Sequence, residues 1–99
     1  MIVDYKSKKI KKICTDFSSA KKEHGNELAL KIFQRIEQIS ASNSIDELIS
    51  FNIGRCHALS GDRSGQYAMD LGNPFRLVFS VEKTEMKEVA IIIEVIDYH

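Results

Sequence analysis

No stretch of this chain approaches the roughly 18 to 20 uninterrupted apolar residues that a membrane-spanning helix needs. The longest apolar run, Val89 to Ile93, has the length of a strand, which excludes a helical membrane protein. A secretory signal is also missing: Met1 to Tyr5 are followed by five lysines in seven positions, where such a signal would place its apolar segment. The chain is therefore expected to stay in the cytoplasm and to meet no membrane. Cysteine is scarce. Cys14 and Cys56 lack the spacing of a metal knuckle and are too few for a disulfide framework, so both are expected to be buried, reduced thiols. Proline occurs once, and there is no repeat, low-complexity segment or Pro/Gly-rich linker to mark a boundary. Ninety-nine residues then make one domain, 1–99, around one core.

Net charge is absent too, at zero overall, but its partition is informative. Residues 1–39 carry nine Lys or Arg against five acids, whereas residues 77–99 carry two against five. RNA-binding proteins draw most of their affinity from neutralised phosphates and are usually more basic than this, so any nucleic-acid contact here should be local. The plainer reading of the lysine cluster is a solvated helix face, which describes most such runs.

The first fifty residues have helical spacing. After a short strand at 1–5, Ser7 is placed to cap a helix that carries Ile10, Ile13, Cys14 and Phe17 on one face and Lys8, Lys9, Lys11 and Lys12 mostly on the other. A break at His24-Gly25-Asn26 leads into a second helix, capped by Asn26, with Leu28, Ile32, Phe33, Ile36 and Ile39 at three- and four-residue intervals. Ser44 and Glu47 make a capping-box pattern that starts a short helix through about Ser50. From Gly54 the period changes to two, with strands expected at about 54–60, 66–71, 75–82 and 88–97. The class is α+β, with the N-terminal helices packed on one face of a mostly antiparallel, four- to five-stranded sheet.

Alternation also predicts a register. Tyr67, Met69 and Leu71 share one face of their strand and Phe75, Leu77, Phe79 and Val81 one face of the next. Matching the two sets requires a three-residue loop, Gly72-Asn73-Pro74, and sets Asp70 opposite Arg76. Cys56 and Ala58 then fall on the core side, leaving Arg55, His57, Asp70 and Arg76 together on the other face. Standard sheet spacings put His57 and Arg76 roughly 12 Å apart at Cα, with room for a phosphate between their side chains. The last strand resists assignment. Its column Val89, Ile91, Ile93, Val95 would send Asp97 and His99 coreward if regular, unless the tail bends or bulges after Val95; alternatively Ala90, Ile92 and Ile96 face the helices.

The segments His57-Ala-Leu-Ser-Gly-Asp-Arg-Ser-Gly-Gln66, Asn73-Pro-Phe-Arg76-Leu-Val-Phe and Val95-Ile-Asp-Tyr-His99, in this order and spacing, resemble the HigB branch of the RelE/ParE toxin superfamily. The likeness is strong over about 54–99 and only one of pattern over 1–50. It implies a microbial RNase, RelE-like fold and a ribosome-dependent mRNA endoribonuclease that blocks translation. It further implies a cognate helix-turn-helix antitoxin of the HigA kind, no cofactor and no metal, and contact with DNA only through the antitoxin complex. Carried over by position, His57, Asp97, Tyr98 and His99 match the catalytic cluster and Arg76 the basic residue of the strand after the hairpin. The neutral net charge departs from the strongly basic members.

The chemistry is consistent with those residues. RNA cleavage without a metal needs a base for the 2′-hydroxyl, an acid for the departing 5′-oxygen and positive charge near the phosphate. Two histidines, whose ordinary pKa of about 6.5 populates both forms near neutrality, and an arginine supply all three. Asp97 or the terminal carboxylate could orient an imidazole, and Tyr98 could stack on an unpaired base or bond to phosphate. Arg55 and Arg63, with the four lysines of the first helix, are candidates for RNA or ribosome contacts. Each residue also has a plainer role: a structural His57, an Arg76 that simply pairs with Asp70, a solvated Arg63. The competing functions are a ParE-like toxin acting by protein binding and a non-catalytic interaction domain.

Overall fold

The computed structural model describes residues 1–97; Tyr98 and His99, two of the expected catalytic residues, lie outside the described residues. The chain runs β1 (Ile2–Tyr5), α1 (Lys8–Thr15), α2 (Phe17–His24), α3 (Asn26–Ala41) and α4 (Ile45–Ser50) into β2 (His57–Ala58), β3 (Gln66–Asp70), β4 (Phe75–Lys83) and β5 (Glu88–Asp97). The strands form one sheet in the order β1-β5-β4-β3-β2, with β1 parallel to β5 and every other pair antiparallel. Helices cover one face. Ile10, Ile13, Ile32, Ile39 and Leu48 pack there against Met69, Leu77, Phe79, Ala90 and Ile92. Among the described residues no helix is long and apolar enough to cross a membrane.

Local chemistry explains the helix ends and corrects two of them. Ser7 Oγ accepts from the Ile10 N–H at 3.2 Å, capping α1 as expected. The helix stops at Asp16, however, whose extended backbone turns the chain so that Phe17 opens α2. The Phe17 ring then meets Phe33 of α3 edge-on, with centroids 5.5 Å apart. Gly25, not Asn26, occupies the junction of α2 and α3. Its φ of 85° favours glycine; its N–H closes α2 on the Lys21 carbonyl and its own carbonyl receives the Ala29 N–H. At α4 the capping box is half made. Ser44 Oγ accepts from the Glu47 N–H, while the Glu47 carboxylate accepts from Asn43.

The β3–β4 hairpin has the expected register, with Tyr67 opposite Phe79, Met69 opposite Leu77 and Asp70 opposite Arg76 around the loop at 72–74. The expected strand at 54–60 shrinks to His57–Ala58. Asn52, Gly54 and Arg55 all have left-handed φ values of 53°, 58° and 54°, which fold Ile53–Arg55 into a tight turn, closed by the Cys56 N–H on the Ile53 carbonyl, that cannot pair in a sheet. Cys56 is buried as expected, but Ala58 is exposed, because the helices do not extend over the edge strand.

The conflict in the last strand resolves through a bulge. Phe79 opposes Ile92 while its neighbour Val78 opposes Glu94, so Ile93 is the extra residue. Before it Ala90 and Ile92 face the helices; after it Val95 and Asp97 do, opposite Leu77 and Phe75. Both apolar columns are used, one on each side of Ile93. The bend precedes Val95 instead of following it.

Candidate functional site

The face of the sheet turned away from the helices carries the charged side chains. Because β3 and β4 are regular up to their loop, Asp70 and Arg76 meet directly, with Arg76 Nε 3.1 Å from Asp70 Oδ1. The second carboxylate oxygen faces Arg55, whose Nη1 lies 3.3 Å from Asp70 Oδ2. One carboxylate thus lies between two guanidinium groups, leaving the trio one positive charge in excess. Arg76 and Asp70 are largely covered, with side chains 28% and 25% exposed, whereas that of Arg55 is 73% exposed. Arg55, Asp70 and Arg76 line a concavity of about 310 Å³ together with Asn73, Pro74 and Phe75 of the hairpin loop.

His57 joins this cluster through the backbone. It pairs with Ala68 across β2 and β3, and its Nδ1 lies 2.8 Å from the Arg55 carbonyl oxygen. A carbonyl only accepts, so Nδ1 carries the hydrogen and donates it, and in the neutral ring Nε2 holds the lone pair. An imidazole fixed this way presents a base to its surroundings. It is held by Arg55, a residue that keeps a left-handed backbone without being glycine.

The other expected site residues are distributed differently. Arg63 lies in a 3₁₀ turn, Gly61–Arg63, between β2 and β3, and its guanidinium reaches across β3 and β4 to Glu94 on β5 at 3.3 Å while bonding Gln66 at 2.9 Å. The row His57, Ala68, Val78, Glu94 runs beneath it, and Ala68 and Val78 are fully buried although they face away from the helices. Asp97 lies opposite Phe75, on the helix-facing parity of β5 and out of the row that holds His57. Lys8, Lys9, Lys11 and Lys12 are exposed on α1, which packs on the covered face and so is not brought together with His57; Lys9 pairs with Glu23 at 3.7 Å.

Two polar residues of this region escaped the sequence reading. Glu94 escaped because its facing depends on whether the odd or the even residues of the last strand meet the helices, which alternation alone leaves open. Arg35 of α3 donates from Nε to the Asp70 carbonyl oxygen at 2.6 Å and from Nη1 to Gln38 Oε1 at 2.9 Å. Burial lowers its pKa from the usual arginine value, an effect that the neighbouring Asp70 opposes. The signal for Arg35 was present: Leu28, Ile32, Arg35 and Ile39 recur at four, three and four residues, which sets a charge within the apolar stripe. Cys14 and Cys56 are free and buried, and burial pushes their thiols up to about 12 and about 11, which keeps both protonated and unreactive near neutral pH.

The sequence matches no protein-family model and no curated protein. The fold does have solved counterparts. Over 100% of this chain and 99% of the other, it is similar to a YoeB/ParE toxin from Agrobacterium tumefaciens, with a TM-score of 0.66 at 15% identity. It is similar also to the YoeB-YefM complex from Staphylococcus aureus, with a TM-score of 0.62 at 16% identity, and to the YoeB dimer from the same organism, with a TM-score of 0.56 at 16% identity; both cover 100% of this chain and 97% of the other. Likeness at this level of identity establishes the fold: helices on one face of a five-stranded mixed sheet, as in the YoeB/ParE toxins.

Proposed function

We propose that this protein is the toxin of a toxin–antitoxin pair, an endoribonuclease of the HigB kind that cleaves mRNA on the ribosome and so inhibits translation. The observation that carries this reading is the juxtaposition of His57, its Nδ1 committed to the Arg55 carbonyl, with the Arg55–Asp70–Arg76 cluster and its excess positive charge. His57 Nε2 takes the proton of the 2′-hydroxyl, which attacks the adjacent phosphorus; the 5′-oxygen leaves with a proton, giving a 2′,3′-cyclic phosphate. Arg76 and Arg55 oppose the charge that gathers on the phosphoryl oxygens. His99 is the proposed proton donor, Asp97 the group that favours its charged form, and Tyr98 the ring that stacks on a base or bonds to the phosphate. The reading requires no cofactor.

Its partners would be the ribosome with its mRNA and a cognate antitoxin, of the helix-turn-helix, HigA-like kind, in the cytoplasm. Lys8, Lys9, Lys11 and Lys12 would meet ribosomal RNA on one side of the molecule, with Arg63 and Arg55 beside the message on the other. Cleavage on the ribosome accommodates the zero net charge, since the ribosome, and not free affinity for RNA, then delivers the substrate. The test is mRNA cleavage in a translating extract by the intact protein, by His57→Gln and by a chain ended after Tyr98. Each change should cost on the order of 10²-fold in cleavage, the scale of losing one proton-transfer group, with the unfolding midpoint retained. Growth arrest without any cleavage would favour the ParE-like, protein-binding alternative, and full activity in either variant would remove that histidine from the mechanism.

A further inference from the structure

Arg35 belongs to neither the core nor the open face, and nothing in the mechanism above uses it. We infer that Arg35 is a positioning residue that holds the Ile53–Arg55 turn and, through the Arg55 carbonyl, sets which nitrogen of His57 carries the proton. Three contacts carry this. Arg35 Nε donates to the Asp70 carbonyl at 2.6 Å, fixing the end of β3 beside the carboxylate that pairs with both Arg55 and Arg76. Arg35 Nη1 donates to Gln38 on the same helix at 2.9 Å, which holds the guanidinium plane. The turn itself closes on that plane: a β-carbon at Gly54 would lie 2.8 Å from Arg35 Nε and 3.0 Å from Cζ. The next residue is Arg55, whose left-handed backbone aims its carbonyl at His57 Nδ1.

The geometry asks for arginine. A guanidinium offers donors from both Nε and Nη in one plane and a flat surface on which a glycine backbone can rest. A lysine ammonium keeps the charge but loses both the fork and the plane. Without the plane, the turn relaxes, the Arg55 carbonyl leaves Nδ1, and the neutral imidazole is free to place its hydrogen on Nε2 instead, where the base is needed.

The catalytic half of this inference rests on the nuclease reading; the tautomer half does not. The experiment is therefore read twice, on the full chain, with Arg35→Lys as the main variant and Arg35→Ala beside it. Imidazole ¹⁵N shifts, with His57 assigned through His57→Gln, should show the Nδ1–H tautomer in the parent and a substantial Nε2–H population in Arg35→Lys. In the extract the same variant should lose about tenfold in kcat with KM nearly unchanged, the loss expected when a reacting group is misplaced and binding is kept. A shifted tautomer in a folded Arg35→Lys supports the role even if the parent cleaves no mRNA, in which case the nuclease reading alone fails. An unchanged tautomer in Arg35→Lys overturns the inference whatever the activity. Should Arg35→Ala fail to fold, the lysine variant alone decides.

Discussion

The two faces of the sheet divide the work of this molecule. On the covered face Met69, Leu77, Phe79, Ala90 and Ile92 are fully buried beneath α1, α3 and α4, and they contribute through area removed from water. On the open face the same strands present Asp70, Arg76 and Glu94, and β2 adds His57, satisfied by one another and by Arg55 and Arg63 from the turns. Alternating residues along a single strand, such as Met69 and Asp70, thus go separately to the core and to the proposed site. A substitution on one face should therefore be felt mainly in unfolding and one on the other mainly in binding or turnover, which is a testable separation.

Phe79→Ala should have the largest effect. The ring is fully buried, stacks on Tyr67 at 5.8 Å between centroids, and lies beside the bulge, so its loss leaves a cavity the sheet cannot close. A destabilisation of about 3–5 kcal/mol in urea is expected, with turnover per folded molecule unchanged. A cost below about 1 kcal/mol would mean that the core tolerates far more than its packing implies.

Asp70→Asn should do the reverse. It removes the carboxylate shared by two guanidinium groups in a place that is only partly exposed, so stability should fall by about 1–2 kcal/mol once solvent screening is allowed for. Arg55 and Arg76 then face RNA without that carboxylate between them. Binding to a short single-stranded RNA, read by titration at several salt concentrations, should tighten and fall more steeply with salt. Weaker binding in the folded variant would mean that the carboxylate holds the arginines in place for the ligand and does not merely neutralise them.

How much of this was legible in the sequence follows from how regular each segment is. The pairing of Asp70 with Arg76 could be read because two uninterrupted alternations flank a loop whose length matches them. The strand at 54–60 was overextended because left-handed backbone at Arg55, a residue type that seldom adopts it, has no compositional signature beyond the adjacent Gly54. Arg35 was visible only as a charge out of place on an apolar stripe, and its partner is a backbone carbonyl 35 residues away, which no local pattern encodes. The covering of the open face by Arg63 depends on a long side chain crossing two strands to Glu94, and therefore on knowing first where the bulge lies.

That bulge supplies the finest test of the division between faces. Regular pairing from Ile92 onward would bring Glu94 opposite Leu77, forcing a carboxylate into the core, where an unpaired charge costs far more than one unmade ladder pair. The extra residue at Ile93 passes Glu94 to the open face, and to Arg63, and returns Val95 to the helices. If this is why the bulge exists, Ile93 can be removed without disturbing register: Ile92 stays opposite Phe79, Glu94 opposite Val78 and Val95 opposite Leu77. Deleting Ile93 should then leave a folded chain, losing about 1 kcal/mol for one partly buried side chain and its packing beside Ile10 and Ile13. Cross-strand proton contacts between Val95 and Leu77 should persist in its spectra. Their replacement by contacts between Glu94 and Leu77, or the collapse of the fold, would show that the bulge is held by the surrounding structure and not by the need to keep that carboxylate out of the core.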